Sequence, residues 1–553
     1  MGNEIVLDIE TNLAHDTIWC VGVREIDSGR TAIHYAPVTL HPVLENASKI
    51  VGHNIIGFDS PVLRKVWGIK IPDEKLLDTL VMSRLYHPSI EGGHSLKAWG
   101  GRIGKYKDDF NVADFDKGLT DEMVSYCQQD VLVTANLLAA LRRDMKASKF
   151  SEYSVELEHQ VAVITQKQVE NGFRMDTVHA TCLYNELMLR QDRITEELQE
   201  TFPPITHKRV SEKTGKQLAD RIEVFNAGSR KQIAERLIAS GVKLTKKTEN
   251  GAIIVDEKVL EGINRPEARL MHEYLLLQKR TSMLESWLKF VDRSSGRVHG
   301  KVMTNGAVTG RMTHHSPNMA QCPSTKSLYG TEFRQCWTVD SGNVLVGIDA
   351  SGLELRMLAH YMNDDAYTQE ILSGDIHTMN MKAAGLTSRN QAKTFIYAFL
   401  YGAGAAKIGE TVGGSAKEGK KLINDFMKAV PAIGKLKEKI ARIAASGSVP
   451  ALDGRRIRIR SPHAALNSLL QSAGAIIMKQ ALVILIESLE KHDIPYKLVA
   501  NVHDEWQIET PEKYGNIVGK AGCRAIEKAG KHFDMRCPLA GDYNVGKSWA
   551  ETH

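Results

Sequence analysis

Apolar and polar residues follow two distinct periods along the chain, and these periods predict its elements. Glu4–Thr11 has the spacing of a strand, and Val344–Ile348 is a continuous apolar run typical of a buried strand. Tyr496–Glu509 contains two strand-like runs that flank polar residues. Between residues 150 and 295 helical spacing prevails, as in Glu156–Asn171. The pattern predicts a mostly helical middle region between two parts that mix strands and helices.

Several helix boundaries in this middle region can be predicted. Gly228–Gly241 has the pattern of a helix with Ser229 as its N-cap. Asp256–Val291 forms a longer helical stretch that Pro266 interrupts. The prolines after Phe202 end the preceding helix, and we expect a short, polar and basic linker over Phe202–Glu223.

Ser388–Gly404 has the pattern of one amphipathic helix. Ser388 and Gln391 form a predicted capping box, and the two glycines near residue 403 suit the helix end. One apolar sector comprises Ala392, Phe395, Ile396 and Phe399. A separate stripe comprises Arg389, Lys393, Tyr397 and Tyr401. The stripe suits an anionic ligand with a flat ring, such as a nucleoside triphosphate; the alternative is a solvated basic stripe.

Composition narrows the class of protein. The chain has 553 residues, which favours several domains, and its net charge of +5 is compatible with nucleic acid without proving it. Seven widely spaced cysteines with no C-x-x-C indicate neither a disulfide framework nor a zinc site, so a reducing cytoplasm fits best. We find neither a signal peptide nor an apolar run of about 18 residues, and therefore expect no membrane span.

Two acids on the first predicted strand indicate a cation site, and two further acids follow within the first 150 residues. Asp8 and Glu10 are two apart on a strand, so both carboxylates point to one face. Asp59 ends the stretch His53–Asp59, and Asp130 follows a helical run that includes Tyr126. Taken singly, each acid is a surface or capping residue. Two carboxylates held close together are costly without a cation between them.

A second acidic pair is predicted near the C-terminal end. Asp349 ends a buried strand, where it suits a metal ligand, although Asp349 or Ser351 could instead cap the next helix. Asp504 and Glu505 follow His503 between two strand-like runs. Such adjacent acids repel one another unless they are exposed or bind a metal, so we pair Asp504 with Asp349 as a second two-metal site.

Two further stretches suggest contact with nucleic acid. If extended, Arg456, Arg458 and Arg460 share one face, which suits phosphate contact or simply an amphipathic edge strand. Asn467 and Gln471 are one helical turn apart, and their amides could reach minor-groove acceptors, which look alike across base pairs.

These motifs carry two resemblances. Asp-x-Glu, Asn-x-x-x-Phe-Asp and Tyr-x-x-x-Asp, in that order, resemble the three motifs of DnaQ-like 3′–5′ exonucleases. The segments Asp349–Arg356, Arg389–Gly402 and Val502–Glu505 are similar to motifs A, B and C of family A (DNA polymerase I-like) DNA polymerases. The sequences of these motifs most resemble those of the replicative polymerases of short-tailed, T-seven-like bacteriophages.

The resemblance implies a multidomain α/β and α+β fold. An RNase H-like exonuclease domain (1–148) precedes a right-hand polymerase with a thumb (149–298), a first palm part (299–362), fingers (363–446) and a second palm part (447–553). The implied activity is template-directed DNA synthesis by a two-metal mechanism, with proofreading. A gap-filling repair polymerase and an inactive DNA-binding scaffold are the alternatives.

The resemblance also implies roles for individual residues. The exonuclease metals would be held by Asp8, Glu10, Asp59 and Asp130, with Tyr126 orienting the attacking water. The polymerase metals, two Mg²⁺ with Mn²⁺ as a substitute, would be held by Asp349 and Asp504, with Glu505 in support. The dNTP would contact Arg389, Lys393, Tyr397, Glu354, His377 and Tyr401, with Lys393 protonating pyrophosphate. The primer-template minor groove would contact Arg311, Asn467, Gln471 and His503.

Expected partners follow from the same resemblance. They are primer-template DNA, dNTPs, a phage helicase-primase and a single-stranded DNA-binding protein in the cytoplasm of an infected bacterium. We expect a monomer without membrane contact. The T-seven-like enzyme carries a thioredoxin-binding insertion in its thumb, whereas the matching place here holds only the short stretch Phe202–Glu223, so no thioredoxin clamp is predicted.

Overall fold

The computed structural model describes residues 3–105, 110–210, 213–248 and 250–553. Its internal contacts divide the chain into two compact units. The first unit comprises Met1–Gly172, Gly300–Gln321 and Val339–His553, and the second comprises Phe173–His299 and Cys322–Thr338. Every acid predicted as a metal ligand therefore belongs to the first unit.

The first 172 residues form a five-stranded sheet with helices around it. The strands are β1 (Glu4–Thr11), β2 (Ile18–Glu25), β3 (Thr31–His34), β4 (Lys49–Gly52) and β5 (Leu76–Asp78). The helices are α1 (Pro37–Asn46), α2 (Asp59–Trp67), α3 (Thr79–Tyr86), α4 (Leu96–Ile103), α5 (Asp121–Ala147) and α6 (Glu152–Asn171). The sheet order is β3-β2-β1-β4-β5, with β1 antiparallel to β2 and parallel to β4. The predicted strand at Glu4–Thr11 is confirmed and lies at the centre of this sheet.

Residues 150–295 are mainly helical, as predicted, and short strands join the helices between residues 173 and 338. The elements are β6 (Phe173–Met175), α7 (Thr177–Thr201), β7 (Ile205–Val210), β8 (Gln217–Glu223), α8 (Arg230–Ala239), α9 (Glu257–Glu261), α10 (Pro266–Lys289), β9 (Val291–Asp292), β10 (Arg297–Val298), β11 (Lys301–Met303), β12 (Thr313–His315), α11 (Gly330–Gln335) and β13 (Trp337–Thr338). In the second unit α7 packs against α10, and a small sheet has the order β13-β6-β10-β9. Strands β11 and β12 pair with each other and belong to the first unit.

Two local predictions for this region are confirmed, and a third is wrong. Ser229 caps α8 through a hydrogen bond from the Gln232 amide, and Pro266 occupies the first turn of α10, both as predicted. The linker predicted over Phe202–Glu223 is wrong, because β7 and β8 pair there as an antiparallel hairpin. Its β-favouring residues, such as Ile222, lie between charged ones, so the charge pattern hid the strand propensity.

The remaining residues combine an antiparallel sheet with long helices. The elements are β14 (Asn343–Ala350), α12 (Leu353–Met362), α13 (Asp365–Ser373), α14 (Ile376–Ala384), α15 (Arg389–Leu400), α16 (Ala405–Thr411), α17 (Ala416–Ala429), α18 (Pro431–Ala444), β15 (Ser448–Pro450), β16 (Arg456–Arg458), α19 (Ala465–Lys491), β17 (Lys497–Val502), β18 (Glu505–Pro511), α20 (Gly515–His532) and β19 (Gly541–Gly546). The sheet order is β17-β18-β14-β19. The strand predicted before Asp349 therefore lies in the interior of the sheet, beside the hairpin predicted around Asp504.

Helix α15 follows its predicted amphipathic pattern but not its predicted cap. The apolar sector, including Phe395 and Ile396, is fully buried, and Gly402 adopts a positive φ of 76° directly after the helix end. Ser388 is the N-cap residue, yet its side chain makes no capping hydrogen bond to the described backbone. The capping box is therefore wrong, and Gln391 instead lies within 3.5 Å of the Thr387 hydroxyl.

One helix of the described chain, Pro462–Lys491, is long and apolar enough to cross a membrane. The sequence analysis did not expect such a helix, because Ser, Gly and Gln interrupt its aliphatic residues. In the structure 83% of its apolar window is buried inside the protein, where it packs against α12 and α20. Its apolar character is therefore accounted for by the core of the first unit.

Candidate active sites

The N-terminal carboxylate cluster, Asp8, Glu10, Asp59 and Asp130, gathers around β1. The carboxylates of Asp8 and Glu10 share one face of the strand, as predicted. One ligand atom each from Asp8, Glu10 and Cys127 lie within 4.8 Å of one another. The Cys127 thiol also donates a 3.7 Å hydrogen bond to the Asp8 carbonyl. This group of atoms could hold a cation.

Asp59 is brought to the same place by the start of α2. Its Oδ1 accepts a 3.2 Å hydrogen bond from the Ile9 amide, which lies between the two strand acids. Burial raises the pKa of Asp59 to about 7, and the nearby carboxylates of Asp78 and Asp130 also favour the protonated form. A cation in this cluster would relieve the same repulsion.

Asp130 and Tyr126 both lie on α5. Asp130 is almost fully buried and its charge acts on Asp59, so the fourth acid joins the cluster. Tyr126 is half-buried, and its ring packs 5.4 Å from Phe110 and 6.5 Å from Phe115. The structure thus places Tyr126 one helical turn before Asp130, within an aromatic group that the sequence analysis did not anticipate.

Asp78 and His159 form a buried support that the sequence analysis missed. The Asp78 carboxylate accepts hydrogen bonds from the amides of Asn54, at 2.9 Å, and Ile56, at 3.2 Å. The amide of Asp78 donates to His159 Nε2 at 2.8 Å. These bonds fix the loop that leads into Asp59. The available signal was the position of Asp78, which ends an apolar strand and caps α3.

The C-terminal carboxylate cluster, Asp349, Asp504 and Glu505, is built by neighbouring strands. Asp349 on β14 lies directly opposite Glu505 on β18 in the antiparallel register. Asp504 occupies the turn between β17 and β18, where its carbonyl accepts a 3.1 Å hydrogen bond from the Ala350 amide. His503 begins this turn with φ of 59°. The pairing of Asp349 with Asp504 expected from sequence is therefore present in the sheet.

Mutual repulsion marks this cluster as a candidate cation site. Burial raises the pKa of Asp349 to about 7, and the charges of Asp504 and Glu505 add to the shift. The pKa of Asp504 is also raised by burial and by the charge of Glu354. Both Asp349 and Asp504 keep some exposure to solvent.

Glu505 differs from Asp349 and Asp504 because neighbouring protein groups stabilise its negative charge. Its Oε1 accepts hydrogen bonds from Trp549 Nε1 at 2.6 Å and Gln507 Nε2 at 2.5 Å, and its Oε2 lies 2.7 Å from His553 Nδ1. Burial alone would raise the pKa of Glu505, but these contacts together lower it. The sequence analysis missed all three partners. Gln507, two residues further on the same strand face, was the one that spacing could have indicated.

A further acid, Asp542, lies opposite Asp349 on the other neighbouring strand, β19. Its Oδ2 accepts a 2.5 Å hydrogen bond from the Ser351 hydroxyl. The charge of Asp542 contributes to the raised pKa of Asp349. This contact assigns the Ser351 hydroxyl to Asp542.

The cationic end of α15 meets a carboxylate and an imidazole. Arg389 Nε donates a 2.9 Å hydrogen bond to Asp375 Oδ2, and Asp375 also caps α14 through the amides of His377 and Thr378. Burial lowers the pKa of His377, and the charges of Arg389 and Lys393 lower it further. The two cations Arg389 and Lys393 thus lie beside an imidazole, His377, that they help to keep neutral. Asp375 was missed, although its N-cap position directly before Ile376 was a usable signal.

The far end of α15 reaches the C-terminal cluster. Glu354 Oε1 accepts a 2.7 Å hydrogen bond from the Tyr401 hydroxyl and lies 3.1 Å from Arg311 Nη2. Burial raises the pKa of Tyr397, and the charges of Glu354 and Asp504 raise it further. The tyrosines of the stripe thus adjoin the acids Glu354 and Asp504.

Residues predicted to contact DNA fall into two sets. Arg311 and His503 line one small pocket together with Ala475 on α19. Asn467, Gln471 and Ala475 recur every four residues and stay half-exposed on α19, whereas most of their neighbours are buried. Among the described residues, Asn467 and Gln471 form no hydrogen bond to Arg311 or His503, so the structure aligns them along one helix face only.

The arginine-rich run is extended only in part. Arg456 and Arg458 lie on β16 with Ile457 buried between them, which confirms the predicted alternation. Arg455, by contrast, is buried and ion-paired with Glu158 and Asp453. The first arginine of the run therefore belongs to the core.

Comparisons with known proteins show the family to which the chain belongs. Residues 195–551 match the family model described as DNA polymerase family A. The chain is 34% identical to the DNA-directed DNA polymerase of Escherichia phage T7, over 99% of this chain and 100% of that protein. It is 34% identical to the DNA-directed DNA polymerase of Enterobacteria phage T3, over 93% and 94%. DNA polymerase I of Aquifex aeolicus is more distant, at 25% identity over 99% and 96%.

A solved structure shows the same fold at low sequence identity. The POL domain of Pol1 from M. smegmatis, solved in complex with DNA primer-template and dNTP, matches with a TM-score of 0.82 and 17% identity. The match covers 100% of this chain and 96% of that one. The family model spans well over half of the chain, and the phage T7 relative is matched along its whole length. The chain therefore belongs to DNA polymerase family A.

Proposed function

We propose that this protein is a replicative, template-directed DNA polymerase that also removes nucleotides from primer 3′ ends. The observation that carries the proposal is the C-terminal cluster, in which Asp349 and Asp504 have raised pKa values and adjoin the cation-and-tyrosine stripe of α15. A pair of carboxylates that needs cations, facing a site for an anionic ligand, is what phosphoryl transfer requires. The phage T7 and T3 relatives, both DNA-directed DNA polymerases, support this reading.

Asp349 and Asp504 fit divalent cations such as Mg²⁺, or Mn²⁺ in its place, because hard carboxylate oxygens suit hard cations. When bound, such cations supply Lewis-acid activation of the primer 3′ oxygen and neutralise charge on the leaving pyrophosphate. Glu505, already held by Trp549, Gln507 and His553, supports the geometry without giving up its protein contacts.

The α15 stripe binds the incoming dNTP. Arg389 and Lys393, with His377, receive the triphosphate, and Lys393 donates a proton to the pyrophosphate. Tyr397 lies near the incoming sugar, and Tyr401 lies near the template base. Glu354 crowds a ribose 2′-hydroxyl and so selects deoxynucleotides; its hydrogen bond to Tyr401 fixes its position.

Arg311 and His503 contact the minor groove at the primer terminus, and Asn467 and Gln471 extend this contact along α19. These side chains reach acceptors that are common to all correct base pairs. They therefore sense pairing geometry without selecting a sequence.

The N-terminal cluster hydrolyses the 3′ end. Asp8, Glu10, Asp59 and Asp130 hold two divalent cations, and Tyr126 orients the attacking water. The close approach of the Asp8 and Glu10 carboxylates, together with the raised pKa of Asp59, supports a cation-binding role.

We assign residues 1–148 to the exonuclease domain and 149–298 to the thumb. Residues 299–362 and 447–553 form the palm, and 363–446 form the fingers. The protein acts as a monomer on primer-template DNA in the cytoplasm of an infected bacterium, with a helicase-primase and a single-stranded DNA-binding protein. The hairpin of β7 and β8 is too short to match a large thioredoxin-binding insertion, so added thioredoxin should not increase processivity.

Primer extension tests the proposed activity. Wild type with four dNTPs and Mg²⁺ should extend a primed template, and Asp504→Ala should lose at least about 100-fold in rate, because metal stabilisation is worth several kcal/mol. Glu527→Ala, which removes an exposed acid on α20, is the matched control and should extend normally. Extension by Asp504→Ala at the wild-type rate would contradict the assigned metal site.

Tyr397→Phe tests the assignment of the sugar contact. If Tyr397 lies beside the sugar, loss of its hydroxyl should reduce incorporation of dideoxynucleotides while ordinary dNTPs are still used. Competition between ddNTP and dNTP on one template measures the ratio, with Tyr367→Phe, a buried tyrosine on α13, as the control. An unchanged ratio in Tyr397→Phe would show that the hydroxyl does not lie near the sugar.

A further inference from the structure

Four charged side chains are buried together behind the polymerase site and have no role in the function proposed above. Glu158 comes from α6, Asp453 and Arg455 from the turn between β15 and β16, and Lys479 from α19. Each is at least 95% buried. Arg455 pairs with Glu158 at 2.6 Å and with Asp453 at 2.5 Å, and Lys479 pairs with Glu158 at 2.6 Å. The two negative and the two positive charges therefore sum to zero.

The ammonium of Lys479 also binds both ends of one loop. Its Nζ donates to the carbonyl of Thr304 at 2.9 Å and to the carbonyl of Gly310 at 2.8 Å. It lies 3.1 Å from Oδ1 of Asn305. An ammonium has three donors and no acceptor, so it suits a site lined by oxygens. Lys479 therefore closes the loop from Thr304 to Gly310.

Arg455 supports the same loop from a second direction. Its Nη1 donates a 3.2 Å hydrogen bond to Asn305 Oδ1. Gly310 adopts φ of 76°, and a Cβ added there would lie 3.0 Å from Arg455 Nη1. The glycine therefore permits both the turn and the close approach of the guanidinium.

The closed loop fixes the backbone directly before Arg311, which is the next residue along the chain. Its side chain leaves this closed loop, lies 3.1 Å from Glu354 and lines the pocket with His503. A buried ion pair is weak evidence for a contribution to stability, since apolar residues of similar size often give a fold of equal or greater stability. What the four charges provide here is a fixed loop geometry directly before Arg311.

We propose that Lys479, with Glu158 and Arg455, is a positioning residue that sets Arg311 at the primer terminus by closing the Thr304–Gly310 loop. The proposal rests on the proposed function, in which Arg311 contacts the primer-template. Lys479 touches neither DNA nor nucleotide in this role and acts only through Arg311.

A double-mutant cycle tests this role. Lys479→Met keeps the length of the side chain and removes its charge, Arg311→Ala removes the contact, and the double variant combines them. We expect Lys479→Met to lower kcat/KM for primer extension at least about tenfold. In the Arg311→Ala background it should have almost no further effect, because the residue through which it acts is already gone. Degradation of single-stranded DNA at the N-terminal cluster should stay at the wild-type rate in every variant.

Gln480→Met is the matched control. Gln480 is the neighbouring buried residue on α19 and accepts a hydrogen bond from the Tyr153 hydroxyl, not from the loop. Any loss it causes should multiply with that of Arg311→Ala, as expected for independent sites. The contrast between coupled and multiplicative losses separates a positioning role from general support of the fold.

Two outcomes overturn the proposal: wild-type extension by Lys479→Met, or multiplicative losses in the Lys479→Met, Arg311→Ala double variant. If Lys479→Met fails to fold, as judged by lost degradation, Gly310→Ala decides instead. That change keeps all four charges but strains the loop at its positive φ and crowds Arg455 Nη1, so coupling to Arg311→Ala supports the proposal and multiplication contradicts it. A wild type that extends no primer contradicts the proposed function, whereas multiplicative losses in an active polymerase contradict only the role of Lys479.

Discussion

The two carboxylate clusters of this protein use the same side chains but are assembled differently. The N-terminal cluster draws its acids from a strand, a helix start and a second helix, and a backbone hydrogen bond from Ile9 fixes Asp59 beside the strand. The C-terminal cluster is set by the antiparallel register of β14 and β18, which places Asp349 opposite Glu505. Chemically similar sites therefore depend on different long-range constraints.

The clusters also differ in how their charge is balanced. In each, burial and neighbouring acids raise the pKa of one carboxyl to about 7, namely Asp59 and Asp349. In the C-terminal cluster the protein supplies one acid, Glu505, with an indole, an amide and an imidazole. We infer that the protein itself stabilises the charge of Glu505, whereas a cation would balance the charges of Asp349 and Asp504.

The largest expected effect comes from removing the strand acids of the N-terminal cluster. Asp8→Ala with Glu10→Ala should reduce 3′–5′ degradation at least about 100-fold, because the cations lose their ligands. Extension should continue at the wild-type rate, since the two clusters have separate ligands. Degradation of labelled single-stranded DNA and extension of a primed template measure both activities. Asp27→Ala, an exposed acid in the turn after β2, is the control.

Degradation that survives the double change would place the hydrolytic site elsewhere. A parallel loss of extension would show that the two clusters do not act independently, and the comparison between them would then no longer hold.

The next effect tests the protein contacts of Glu505. Trp549→Phe keeps the ring but removes the indole donor to Glu505, and a hydrogen bond to a charged group is worth about 1.5–3 kcal/mol. Extension should therefore fall by roughly 10-fold or more, with degradation unchanged. Trp99→Phe is the matched control, because its buried indole donates a hydrogen bond to Ser83 and not to a cluster acid. Equal losses in both variants would mean that any buried indole matters, whatever its partner.

The smallest effect concerns pH and should be shared by both clusters. A carboxyl with a raised pKa near 7 holds a proton below that pH, and a cation must displace it. The Mg²⁺ concentration for half-maximal activity should thus rise as pH falls from 8 to 6, by up to about tenfold per pH unit below 7. Mg²⁺ titrations of extension and degradation at several pH values measure this. An Mg²⁺ requirement that is constant with pH would contradict the burial-driven shifts of Asp59 and Asp349.

Sequence reasoning succeeded where one short segment carried its own signal. The strand of Asp8 and Glu10, the buried run before Asp349 and the apolar face of α15 all follow from local periodicity. It failed where local signals competed. Ser388 precedes a helix, yet its side chain does not cap it, and the strand propensity of β7 and β8 was hidden by interleaved charges.

By itself the sequence determined the motif acids, their order and the faces on which they lie, because period and spacing are properties of single elements. Only the tertiary structure decided which groups balance those acids. Trp549 and His553 meet Glu505, His159 meets Asp78, and Lys479 closes the loop before Arg311. The two members of each of these pairs are separated along the chain by more than 40 residues. An unpaired charge raises the free energy of the folded protein only once packing has removed it from water, so the need for a partner arises in the tertiary structure and not in a single segment.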